Sequence, residues 1–355
     1  MFGSLSLAPL ILIFLAAGGL VWGAGAALSD NTDVLDQRLG FGDAVGGQVL
    51  LAFATNLPEI AIVTSSALAG AVGIATGNIL GGIAIQTVVL ALLDGFGLPF
   101  HGEPLTYRAA SLDLVVEGLF VVAILGAVIA GTQMPHSAHW HGLEPVAIAI
   151  VLLWVASIAM VSHARTALPW HERGDAPGGQ DEPRAHSKQK NIARKGLHDK
   201  STGRATLLFA VAAAATLAGG VVLEESGREI ANHIGMTGVV FGATFLAAAT
   251  ALPEVSTGLT AVRLGDYKLA VSDIFGGNAF LPVLFLPAGL LATSAVITNA
   301  ATTDIFLTGL AIVLTVAYIC GLLFRPRRQV LGLGIDSVVV VLLYAIGLAG
   351  LFVIA

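Results

Sequence analysis

Residues 54–86 read ATNLPEIAIVTSSALAGAVGIATGNILGGIAIQ, and residues 249–281 read ATALPEVSTGLTAVRLGDYKLAVSDIFGGNAFL. A constant offset of 195 carries Ala54, Thr55, Leu57, Pro58 and Glu59 onto Ala249, Thr250, Leu252, Pro253 and Glu254, and Ile79, Gly81, Gly82 and Ala84 onto Ile274, Gly276, Gly277 and Ala279. The chain is an internal duplication. Each copy puts a glutamate inside an apolar stretch, where an ionisable group is costly and marks a functional site by default.

Working outward, the composition places these stretches in a lipid bilayer. Of 355 residues, 56% are hydrophobic and only 11% are charged, too little polar surface for a soluble globule. The 43 glycines fall mostly within apolar runs, as expected where helices approach closely in lipid. The single cysteine, Cys320, excludes an intrachain disulfide and any cysteine-based metal cluster. The opening segment lacks the basic n-region of a secretory signal and reads as a spanning helix that is retained.

Ten segments approach the length needed to cross a bilayer: 7–28, 43–68, 72–94, 109–131, 143–162, 204–224, 236–262, 267–292, 303–324 and 332–354. The fold expected is therefore an all-α membrane protein of about ten transmembrane helices, arranged as two five-helix repeats. An odd number of spans per repeat forces opposite orientations, the inverted topology of many secondary transporters. The expected divisions are 1–162, with its repeat core at about 45–90, a linker at 163–203, and 204–355, with its repeat core at about 240–285. The linker has the Pro, Gly and mixed-charge composition of a disordered tether. Loops after odd-numbered spans contain 16 of the 17 Lys and Arg residues, Arg228 being the exception. This predicts a cell (inner) membrane protein with a cytoplasmic linker and both termini outside.

Pro58 and Pro253 each remove a backbone donor and free the carbonyl four residues earlier, that of Ala54 or Ala249. Freed carbonyls at membrane depth commonly coordinate cations in broken transporter helices. Calcium takes 6 to 8 oxygens. Bidentate Glu59 and Glu254, the two carbonyls and the Thr55 and Thr250 hydroxyls fit a dehydrated divalent ion, and two negative charges neutralise it. Asn78 and Asp273 follow the glutamates by nineteen residues and are further candidates, with a helix cap the competing reading for Asn78.

The pairs ATNLPEI with TGNILGG and ATALPEV with SDIFGGN resemble the two alpha-repeats of the sodium/calcium exchanger, or cation/calcium antiporter, superfamily. That family's repeat usually reads G-T-S-L-P-E, then G-N-x-x-G-S-N-x-x-N or -D. The resemblance implies that Glu59 and Glu254 bind calcium, and that Thr55 and Thr250 supply neighbouring hydroxyl and carbonyl ligands. It implies exchange of calcium against sodium or protons with no cofactor, the partners being inorganic cations and the lipid bilayer, without nucleic acid or an obligate protein partner. The departures matter. Gly82 and Gly277 replace the family's Ser, while Gln86 and Leu281 replace the closing Asn or Asp, so the sodium sites look depleted and a proton is the expected counter-ion. Gln86 alone offers a substitute oxygen. A proton needs only carboxylates, and Glu59, Glu254 and Asp273 would form such a cluster if they converge.

Competing features are weaker. Gly40-Phe41-Gly42-Asp43 matches the G-x-G-D of membrane aspartyl proteases, but no Tyr-Asp pair supplies the second aspartate. A non-transporting sensor or a channel is a third class, which would show flux without a counter-ion. His136, His139 and His141 have a spacing that suits a metal, although loop histidines are more often solvated. Asp94, Asp113 and Asp336 lie near span ends, where snorkelling to water is the expected outcome. Glu117, one turn further in, is a minor candidate for the transport path.

Overall fold

A computed structural model describes residues 2–39, 53–98, 102–135, 140–167 and 202–355. Among these, eight helices are long and apolar enough to cross a membrane: Leu7–Leu28, Val72–Gly97, Leu112–Gly131, Pro145–Ala164, Gly203–Ile234, Tyr267–Ala292, Thr302–Phe324 and Ile335–Ile354. Gly238–Thr250 and Leu252–Arg263 make a ninth span if counted together across a bend of 42°. The chain is an all-α, multi-pass membrane protein, its one hairpin pairing Gln329–Val330 with Leu333–Gly334 among the described residues. The first part of the expected second span lies outside the described residues; helix is present from Phe53, turns at Asn56, and continues as Leu57–Leu68.

The prolines account for both interruptions. Asn56 (φ −90°, ψ 11°) and Ala251 (φ −79°, ψ −2°) sit at equivalent breaks, each two residues before a proline in the first turn of the next helix. A π-helical turn, Gly242–Leu246, precedes the second break. Beyond it Gly265 ends the helix with a left-handed φ of 84°, and the Asp266 carboxylate accepts the Leu269 amide at 3.2 Å to start the next.

Packing between the halves is reciprocal. Gly25 of the first span lies against Pro253, and its repeat partner Gly220 of the sixth span lies against Pro58. A Cβ added to Gly25 would come within 2.8 Å of the Pro253 ring, and one on Gly220 within 2.9 Å of the Pro58 carbonyl. The first and sixth spans pack on each other and cover the broken seventh and second segments respectively. Such pairing, residue i on j and j on i, is what a two-fold relation between the halves generates. The third span meets the first half of the seventh just as closely: Cβ atoms on Gly77 and Gly81 would fall 2.3 Å from the Val239 carbonyl oxygen and 2.2 Å from Ala243 Cα. Gly77-x-x-x-Gly81 is thus a small-residue contact that lets two backbones touch without side chains between them.

Several expectations need correction. The helix of the first span continues to Leu39 and that of the sixth to Ile234, well past their apolar cores. Helix also extends through Ala167 and resumes at Thr202, so the ends of the expected linker are helical; residues 168–201 lie outside the described residues. The aspartates at span ends do not snorkel. Asp94, Asp113 and Asp336 are all buried. Asp94 accepts the amides of Leu105 (2.7 Å) and Gly334 (2.6 Å), and Asp113 pairs with Lys268 at 2.7 Å and accepts from Ser111. Asp94 thereby ties down the chain at Leu105 and Gly334, because an unpaired amide in an apolar setting costs more than holding a carboxylate against it.

Candidate cation-binding site

Each broken segment delivers a glutamate to the interior from the first turn of its second helix. Glu59 is 0% and Glu254 3% exposed, and the two carboxylates lie within electrostatic range of each other. Thr250 brings its side chain to Glu59 from the opposite repeat while donating to the Ala247 carbonyl at 3.2 Å. Ala54, Ala249 and Thr55 are buried beside the breaks. The missing amides of Pro58 and Pro253 leave the carbonyls of Ala54 and Ala249 without their helical donor, as the sequence requires.

Two residue stripes related by the repeat lie on the third and eighth spans. Asn78, Gly82 and Gln86 recur every four residues on one face of the third span; Asp273, Gly277 and Leu281 are their repeat counterparts on the eighth. The stripes cross reciprocally, Gly82 against Leu281 and Gly277 against Gln86 and Asn56. Asn78 is the seventh residue of its helix and fully buried, so it is not a cap; Ala71 occupies that position. Asp273 is half-buried, accepts from the Thr257 hydroxyl at 3.2 Å, and lies within electrostatic range of Glu254. It does not complete a three-carboxylate metal cage: among the described residues no three His, Cys, Asp or Glu side chains converge in that way. Glu117 accepts from Ser272 at 2.9 Å, on a different face of the eighth span from Asp273. His136, His139 and the Gly40–Asp43 motif lie outside the described residues, while exposed His141 packs against Trp140.

The donor chemistry suits a cation. Both carboxylate oxygens of Glu59 and of Glu254, both amide atoms of Asn78 and of Gln86, and the Oδ1 atom of Asn278 are buried without a well-aligned hydrogen bond among the described residues. No described Lys, Arg or His forms an ion pair with either glutamate. Buried carboxylates that no basic side chain pairs with are destabilising unless an ion or proton takes them up. Asn56 and Asn278 were not singled out from sequence. Asn278 donates to Thr87 at 3.2 Å, and its position in G-G-N was a usable signal; Asn56, at the break between Thr55 and Pro58, has no counterpart in the second repeat, where Ala251 stands.

The family model for the sodium/calcium exchanger protein matches residues 9–163 and 204–353. The CaxA protein of Alkalimonas amylolytica is 24% identical over 295 residues, which cover 83% of this chain and 82% of CaxA. Among solved structures, that of the H+/Ca2+ exchanger CAX superposes with a TM-score of 0.60 at 14% identity, covering 97% of this chain and 87% of CAX. A structure of the sodium-calcium exchanger NCX_Mj also scores 0.60, at 15% identity over 97% of this chain and 99% of NCX_Mj. The two solved structures are of exchangers of inorganic cations, and CaxA is described as an antiporter; none is an enzyme. With the motif of each repeat carried on a buried, broken helix and the family match running across both halves, the chain belongs to the sodium/calcium exchanger family.

Proposed function

We propose that this protein is a secondary-active antiporter exchanging calcium, or a similar divalent cation, for protons by alternating access, with Glu59 and Glu254 as the paired charged ligands. The observation that carries the reading is the burial of those two carboxylates, one from each repeat, within electrostatic range of each other, with four oxygens lacking a well-aligned hydrogen bond among the described residues. Thr55, Thr250 and the carbonyls of Ala54 and Ala249 complete a divalent shell, and Asn56, Asn78, Gln86 and Asp273 surround it. Calcium neutralises the pair. When it leaves, the same oxygens take up protons, since two adjacent anions in a low-dielectric interior are costly. Competition for one set of charges is the coupling that exchange requires.

The counter-ion follows from the crossing of the stripes. Leu281 fills the space beside Gly82, which supports a proton over a second coordinated cation there. The protein sits in the inner membrane with both termini outside, residues 1–162 and 204–355 forming inverted units joined by a cytoplasmic stretch, 163–203. The test is calcium flux in vesicles reconstituted with the full chain under separately imposed proton and sodium gradients. A proton gradient drives uptake; uptake driven by sodium alone, at clamped pH with a protonophore, would overturn the proton assignment and leave the glutamate site standing.

A further inference from the structure

A second group of buried oxygens lies where the third, ninth and tenth spans meet the short helix Leu105–Ala109 that carries Thr106. Asp94, Asp336, Tyr318, Ser337 and Thr106 are between 0% and 7% exposed. Both carboxylates point at one spot: an ideal Cβ on Gly334 would stand 2.6 Å from Asp336 Oδ1 and 3.1 Å from Asp94 Oδ2. Tyr318 lies within electrostatic range of both aspartates and its hydroxyl faces Ser337, while Thr106 faces Asp336. Asp94 is committed to two backbone amides, but both oxygens of Asp336 and the hydroxyls of Tyr318, Ser337 and Thr106 lack a well-aligned hydrogen bond among the described residues. No described Lys, Arg or His pairs with either aspartate. The nearby basic side chains are engaged elsewhere, Arg327 with the Tyr107 hydroxyl and Arg325 with the Ala110 carbonyl.

Closing a loop does not by itself call for such a cluster, as the other half demonstrates. Glu144 immediately precedes the fifth-span helix, and Asp336 lies in the first turn of the tenth. Its carboxylate accepts the amides of Val296 (2.8 Å), Ile297 (2.9 Å) and Thr298 (2.8 Å), so the loop between the eighth and ninth spans is tied down with both oxygens used. Asp336, in the first turn of the tenth span, holds no such set of loop amides among the described residues and has a second carboxylate beside it.

We propose that Asp94, Asp336, Tyr318, Ser337 and Thr106 form a second cation site, separate from the transport pair, that takes a hard divalent ion such as calcium. Two carboxylates and three hydroxyls offer up to about seven oxygens, within the 6 to 8 that calcium takes, and their two charges balance it. Asp94 can serve while keeping its amide bonds, because each carboxylate oxygen has a second lone pair. An ion there would tie the third span, which carries Asn78 and Gln86, to the ninth and tenth, a fixed frame for the transport site.

The experiment is equilibrium binding of calcium, as the sole probe, to the purified full chain in detergent. In the Glu59→Gln/Glu254→Gln background one calcium per chain is expected to remain, and to be lost on adding Asp336→Asn. No calcium retained in that background, or calcium retained after Asp336→Asn, overturns the proposal. Should Asp336→Asn prevent folding, Tyr318→Phe and Ser337→Ala, which keep both charges, decide: binding weakened about tenfold supports the site, and unchanged affinity removes it.

Discussion

Leu281 lies against Gly82, its Cδ1 3.3 Å from where a Cβ on the glycine would stand, while the reciprocal contact sets Gln86 against Gly277. One crossing of the two stripes is therefore polar and the other apolar. Restoring oxygens to the apolar crossing is expected to alter ion coupling: Gly82→Ser with Leu281→Asn should make calcium flux respond to a sodium gradient, where the unmodified protein responds to protons. Identical gradient responses in the two proteins would count against Leu281 as the determinant.

Glu59→Gln and Glu254→Gln are each expected to lower divalent flux by more than about 100-fold, beyond the 10–100-fold that loss of an outer-shell partner brings. Each removes half of the site's charge where water cannot substitute. Expression and melting temperature should hardly change, because neither carboxylate makes a hydrogen bond that folding depends on among the described residues. Wild-type flux in either variant would refute the assignment.

Asp273→Asn should be milder. The carboxylate stands outside the glutamate pair, half-buried and bonded to Thr257. Its influence on the ion is electrostatic, so apparent calcium affinity should fall about tenfold, or ~1.4 kcal/mol, with maximal flux retained. Complete loss of transport would make Asp273 a direct ligand.

Glu144→Ala is a test of stability rather than transport chemistry. It strips three buried backbone amides of their acceptor at once. The expected cost is at least about 3 kcal/mol, read as a lowered melting temperature in detergent with calcium affinity at the glutamate pair unaltered in the folded fraction. An unchanged melting temperature would mean that the loop is held by other contacts.

Topology can be checked by labelling. Cysteines placed singly in 163–203, in a Cys320→Ser background because Cys320 is exposed, should react with an impermeant thiol reagent only after the cytoplasmic side is opened. Labelling in intact cells would reverse the assigned orientation.

The sequence by itself determined the membrane class, the duplication and the two glutamates. Each rests on a local property: hydropathy over a window, an offset of 195 without a slip, and a proline that must break its helix. Tertiary structure decided which polar groups meet. Asp94 and Asp336 looked like snorkelling residues because position near a span end is all that sequence records, yet backbone amides distant along the chain hold Asp94 in the interior. Asn56 was hidden for a similar reason: it has no counterpart across the repeat, and only the packing of the third and eighth spans brings it to Gln86 at Gly277. Hydrophobic patterning specifies where helices lie in the bilayer, while the partners of a buried oxygen are set by close contacts between helices far apart in sequence, which composition and spacing do not encode.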